Sequence, residues 1–144
     1  MAAIQTRPNK VGNFVKKEFW TDEMWCRKAI TVTYAGITNL APGEVVYKAT
    51  AGAANYVAVP SAVDVALGKV AVIIDNDFSN LVAEDLALGS PTGDVSLVAL
   101  VRGPAVLRRG GLTMADATDA TDVYTMLENQ DFSVAASFSI ATQS

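Results

Sequence analysis

The chain has 144 residues, of which 51% are hydrophobic and 18% charged, a balance that specifies one folded domain with a real core rather than a disordered chain. It contains no histidine and a single cysteine, Cys26. This composition removes the commonest general base, the Ser-His and Cys-His pairs, an internal disulfide and a thiolate metal cluster. The net charge of −4 conceals two unlike parts: residues 1–28 carry six Lys/Arg and three acids, and the remaining 116 residues carry five bases and twelve acids.

In chain order, the start "MAAIQTRPNK" has no apolar core of the kind a secretory signal needs, so intracellular assembly is expected. The segment "KKEFWTDEMWCRK", residues 16–28, follows with both tryptophans, Cys26 and seven charges in thirteen residues. Neither a helical stripe nor a strand alternation separates its large apolar groups from its charges. Burying Phe14, Phe19, Trp20 and Trp25 would release much apolar area from water, but ordering about 20 residues costs a comparable amount. The segment therefore reads as an N-terminal arm, with Val15 beside those four aromatics, that becomes fixed when a partner adds backbone pairing to the apolar contacts. The competing reading makes it the first strand of the core.

Beyond Lys28 the pattern is that of short strands. "AITVTY" alternates Ile30, Val32 and Tyr34 with Thr31 and Thr33, which predicts a half-buried strand. Pro42-Gly43 marks a turn that feeds "EVVYKA", and residues 55–59 are placed to return as its hairpin partner. "GKVAVIID" has the continuous β-branched character of a strand buried on both faces. Its longest apolar run, Val70 to Ile74, is far too short to span a bilayer, so no membrane role is expected. "GSPTGD" is turn chemistry before the strand "VSLVALVR", and "GPAVLRRGG" gives another strand closed by two glycines. One helix is predicted over residues 114–129, with Thr113 as its cap, Asp116 in a capping-box position and Ala117, Ala120, Tyr124 and Leu127 as its apolar stripe. The chain ends on "FSVAASFSI", which sets Phe132, Val134, Ala136, Phe138 and Ile140 on one face. The other face carries Ser133, Ala135, Ser137 and Ser139, small residues suited to close approach by another layer or subunit. No internal repeat and no low-complexity linker is visible.

Candidate sites are few. In "DNDFSN", Asp75, Asp77 and Ser79 match the first three ligand positions of an EF-hand loop. Asn80 stands where that loop needs Gly, however, and Leu86 where it needs Glu, so a polar turn is expected and no metal. Arg108 and Arg109 read as a solvated turn, and Cys26 as a small packed hydrophobe without a base to activate it. No S-x-x-K, G-x-S-x-G, Walker or G-x-G-x-x-G pattern occurs, so neither an enzyme nor a cofactor is expected. The acidic body repels a phosphate backbone, which argues against nucleic acid as a main partner.

From "ITNLAPGEVVYKATAGAANYVAVPS" onward the sequence resembles the lambda-type phage head decoration, or capsid cement, proteins. The resemblance lies in the order of blocks over about residues 36–142: the "GEVVY" strand and hairpin, "LGKVAVIIDNDF", "VSLVALVRGPAVLRRGGL", a helix rich in Ala, Thr and Asp, and the terminal "FSVAASFSI". The resemblance implies a mainly β body of β-tulip-like barrel or sheet form, residues 29–144, with an extended arm, residues 1–28. It implies a homotrimer on the outer surface of the virion at local threefold positions, binding the major capsid protein of the expanded shell and holding it against internal DNA pressure. The arm, through Phe14, Val15, Phe19, Trp20 and Trp25, would add a strand to capsid subunits. This chain departs from shorter members in its longer, two-tryptophan arm, which leaves open whether part of it crosses to a neighbouring subunit. Alternatives are another virion structural protein of the tail tube or head-tail connector and, from a different class, a small hydrolase or carbohydrate-binding module.

Overall fold

The computed structural model describes residues 15–18, 26–37, 40–75 and 93–135. Over these the chain is mainly β with one short helix. Strands β1 (Val15–Glu18), β2 (Arg27–Thr33), β3 (Val45–Lys48), β4 (Val57–Ala58), β5 (Lys69–Ile73), β6 (Asp94–Leu100), β7 (Ala105–Arg108) and β8 (Phe132–Ala135) surround helix α1 (Ala120–Asn129).

Five strands form one antiparallel sheet in the order β2-β6-β5-β3-β4. The residues either side of Pro42-Gly43 turn as expected: Glu44 N–H donates to the Ala41 carbonyl at 3.1 Å, and Gly43 takes φ +98°, a left-handed value that glycine adopts without a Cβ clash. The expected hairpin forms, with Val46 opposite Ala58 and Tyr47 opposite Val57. The sheet curls until its two ends touch at a parallel bridge between Val32 and Tyr56. Thr33 N–H donates to the Tyr56 carbonyl and Tyr56 N–H to the Thr31 carbonyl, both at 2.9 Å. The ends meet at this bridge rather than along a continuous ladder, so the sheet is curled without closing as a regular barrel.

Strand alternation explains how one sheet carries two apolar layers. Ile30 and Val32 of β2, Val46 of β3, Ala71 and Ile73 of β5, and Val95, Leu97 and Ala99 of β6 fill the inside of the curl with Leu40 and Tyr56. The alternate residues Val45, Tyr47, Val70, Val72 and Leu100 face outward, where Val123, Met126 and Leu127 of the helix and Ala105, Leu107 and Phe132 of the second sheet cover them. Val70 to Ile73 are thus buried on both faces, as their unbroken apolar run predicts.

The second sheet has the order β1-β7-β8. β7 and β8 run parallel, and a parallel pair needs a crossover, which residues 109–131 supply with a 3-10 turn at Arg109–Gly111 followed by α1. β1 runs antiparallel along the other side of β7, with Val15 opposite Leu107 and Glu18 opposite Ala105. Residues 15–18, expected to be part of a free arm, therefore pair within this chain, and Val15 packs against its core. β2 begins at Arg27, two residues before the expected body boundary.

The helix departs from expectation at its start. It begins at Ala120, and its cap position is Asp119 rather than Thr113. Thr113 is committed elsewhere: its N–H donates to the Gly43 carbonyl and its carbonyl accepts from Val45 N–H. Asp116 Oδ1 accepts from the Thr118 N–H and hydroxyl at 2.9 and 2.6 Å, a local turn that competes with helix. The buried stripe is Val123, Met126 and Leu127. Tyr124 is only half-buried and Ala117 is exposed, because the sheet meets the helix one position round from the predicted face.

Gln130 ends the helix and repairs the sheet. β6 pairs with β5 only at Val72 and Ile73, leaving Val70 without a strand on that side. The Gln130 side-chain amide takes its place: Oε1 accepts from Val70 N–H at 2.9 Å, while Nε2 donates to the carbonyls of Val70 at 2.7 Å and Val101 at 2.8 Å. One side chain thus satisfies backbone groups that would otherwise be orphaned. Gly103 N–H also donates to the Gln130 carbonyl at 2.8 Å, and a Cβ at Gly103 would fall on the Asp131 carbonyl, so this crossing admits only glycine.

Candidate functional site

The outer strands of the second sheet come from the two ends of the described chain. β1 and β8 flank β7, and the outer edge of each meets no other described strand. On β8 the predicted alternation holds as far as Ala135: Phe132 is buried and Val134 packs against the core, while Ser133 is exposed and Ala135 half-buried. Ser137 and Ser139 lie outside the described residues, as do Phe14, Phe19, Trp20 and Trp25.

Cys26 is 1% exposed, inside the outer apolar layer, and its thiol lies 3.5 Å from the Pro104 carbonyl. Its role is packing, as its neighbours imply. Of the calcium-like loop only Asp75 is described. It is held to the sheet, its Oδ2 accepting from Val98 N–H at 3.3 Å and its own N–H donating to the Val98 carbonyl at 3.2 Å. Among the described residues no cluster of acidic side chains and cysteine is arranged to hold a metal. Arg109 lies in the predicted turn with its guanidinium 4.6 Å from the Tyr124 ring centre, a cation–π contact.

Two features escape the sequence. The first is Glu44, 4% exposed. Its Oε1 accepts from the Thr113 hydroxyl at 2.8 Å, and its Oε2 is buried without a partner among the described residues. Burial raises its pKa from 4.5 to about 7, against the lowering effect of the Thr113 hydrogen bond. Its backbone explains why it stays there, since Glu44 accepts from Ile73 N–H and forms a bridge with Thr113. A Glu between a turn and a strand carries no sequence sign of this burial.

The second is a recess of about 310 Å³ lined by Lys28, Ala29, Ile30, Thr31, Lys48 and Tyr56 among others. It lies at one end of the curl, where Lys28 continues the inward row of Ile30 and Val32, Lys48 that of Val46, and Lys69 that of Ala71 and Ile73. Lys48 and Lys69 stand directly opposite on β3 and β5. Lys48 Nζ lies 4.8 Å from the Tyr56 ring centre and donates to the Ala53 carbonyl at 3.5 Å. Burial, and then the charges of Lys28 and Lys69, hold its pKa below the usual 10.5. Burial likewise raises the Tyr56 hydroxyl above 10.0. The lysines are far apart in sequence, so only the strand register brings them together.

Compared with known protein families, curated proteins and solved structures, the chain has no match. Its functional reading therefore rests on its own residues, their geometry and the order of its sequence blocks.

Proposed function

We propose that this chain is a phage capsid decoration protein, a trimer that binds the major capsid protein on the outer surface of the expanded head and clamps the shell against internal DNA pressure. The observation that carries the reading is the second sheet. Its two outer strands are β1, next in sequence to the aromatic segment, and the small-residue strand β8, and neither outer edge meets another described strand. An unpaired edge is a template for strand addition from another chain. Phe14, Phe19, Trp20 and Trp25, close in sequence to β1, are residue types that anchor such interfaces. The exposed Ser133 and half-buried Ala135 leave room for a neighbouring backbone, which suits packing between copies. Three arms on one trimer act together, so modest contacts at each subunit combine into durable attachment. The function is mechanical and needs no catalytic group.

The test is binding to purified expanded capsids. Electron microscopy of decorated heads should place density at local threefold positions, and sedimentation should give a trimer. Removing residues 1–25, which spares Cys26 and β2, should leave a folded five-stranded sheet and abolish binding. Changing Trp20 or Trp25 to Ala should cost about 2–4 kcal/mol per anchored site. Tryptophan emission should shift to the blue when capsids are added. A truncated chain that binds as well as the full chain, or density on tails alone, would refute the proposal.

A further inference from the structure

The cationic end of the curled sheet is unlike the rest of the body, in which acids outnumber bases by twelve to five beyond residue 28. Three features meet there. Lys28, Lys48 and Lys69 extend three inward-facing rows, and among the described residues no carboxylate pairs with any of them. Lys48 and Lys69 are cross-strand neighbours, an arrangement of like charges that destabilises a sheet unless an anion lies between or beside them. Finally, the recess has a backbone edge that meets no other described strand. Thr31 and Thr33 turn their peptide groups away from β6 to meet Tyr56. By the two-residue alternation of an antiparallel ladder Ala29 turns the same way, and at Ala29 β2 meets no other described strand on that side.

We propose that this recess binds an extended, carboxylate-bearing segment of a partner protein, which pairs with the Ala29 edge of β2 and sets its acidic side chains among Lys28, Lys48 and Lys69. A strand laid there satisfies the Ala29 peptide groups, and its alternate side chains point into the recess at the spacing of a β-strand. The Lys48 ammonium gives one hydrogen bond to Ala53 and keeps donors for a carboxylate. Lys28 and Lys48 line a recess of about 310 Å³, with Lys69 opposite Lys48 on the neighbouring strand, on an acidic body, which fits a few carboxylates rather than the long charged track of a nucleic acid. Charge complementarity sets the chemistry of the occupant, and each described carboxylate of this chain sits in a turn, on the helix or in backbone already hydrogen-bonded within the chain, so no described segment supplies the added strand. The site lies on the five-stranded sheet, apart from the β1 and β8 edges, and does not depend on the capsid reading.

The probe is a capped peptide alternating glutamate with valine, set against its glutamine counterpart and followed through the backbone amides of the full-length protein by NMR. The glutamate peptide should cause saturable shifts at Ala29, Thr31, Ala54 and Tyr56, weakening as salt rises from about 50 to about 300 mM. The glutamine peptide, and the K48A and K28Q variants, should each bind at least about tenfold more weakly. Both variants should keep the parent's circular dichroism spectrum and cooperative unfolding, since Lys28 is exposed and Lys48 half-buried. Equal affinity for both peptides, unchanged affinity in the lysine variants, or shifts mapping elsewhere would overturn the proposal. Tighter binding of inorganic phosphate or of a single-stranded oligonucleotide at the same amides would overturn it in favour of a phosphate ligand. Shifts that appear on concentrating the protein alone would place a second copy there and overturn the assignment to a separate protein.

Discussion

Replacing Glu44 with Gln should make this protein more stable at pH 8 and leave it nearly unchanged near pH 4.5. The Glu44 carboxyl is 4% exposed, accepts one hydrogen bond from Thr113 at 2.8 Å, and leaves Oε2 unpartnered among the described residues. In water such a group ionises near 4.5, whereas in the folded chain burial holds its pKa at about 7. Between those values the native state keeps a proton that the unfolded chain has released. The stabilising contribution of the protonated form is therefore complete below pH 4.5, declines as pH rises through 7, and is gone above it. At 1.36 kcal/mol per unit, the interval from 4.5 to about 7 corresponds to about 3 kcal/mol. Gln is neutral throughout, has nearly the same shape, and can still accept from the Thr113 hydroxyl. E44Q should accordingly unfold about 6–12 °C higher than the parent at pH 8. Near pH 4.5 the two should agree within about 0.5 kcal/mol. Urea unfolding of both proteins at several pH values checks this, and subtracting one curve from the other removes the remaining titrating groups. If the two stability curves run parallel from pH 4.5 to 8, or NMR finds the Glu44 carboxyl titrating near its ordinary value, the reasoning is wrong.

Gln130 should be among the most sensitive polar positions. Q130A removes three hydrogen bonds to Val70 and Val101 and should cost about 3 kcal/mol in urea unfolding, whereas a cost under about 0.5 kcal/mol would show that the amide is dispensable. Cys26, at 1% exposure, should react with a thiol reagent at least about a hundredfold more slowly in the native protein than in denaturant, because reaction must wait for local opening. Similar rates in the two states would put the thiol outside the core.

The alternation of Ile30 and Val32 with threonines, the unbroken "KVAVI" and the Pro-Gly turn before "EVVYK" were each enough to specify a strand or turn, because these signals depend on neighbours two or three residues away. Cys26 as a packed residue was legible for a similar reason, since nothing beside it in sequence could activate the thiol. The helix start was misread because Thr113 has two competing uses, and only the pairing of Thr113 with residues 43–45 shows which prevails. A first core strand in the N-terminal segment stood only as the competing reading, and its pairing of Val15–Glu18 with β7 could not be located, since the charged sequence gives no alternation and the partner lies about ninety residues away. Glu44 and the three lysines show the same limit at the candidate sites. A carboxylate's pKa depends on what covers it, and a cationic recess depends on strand register, so both arise from contacts distant in sequence. Sequence alone set the β character, the turns and the contrast between a basic start and an acidic body. Tertiary structure decided which strands lie outermost in each sheet, which acid is buried and where the positive charge converges, because each depends on which strands lie side by side.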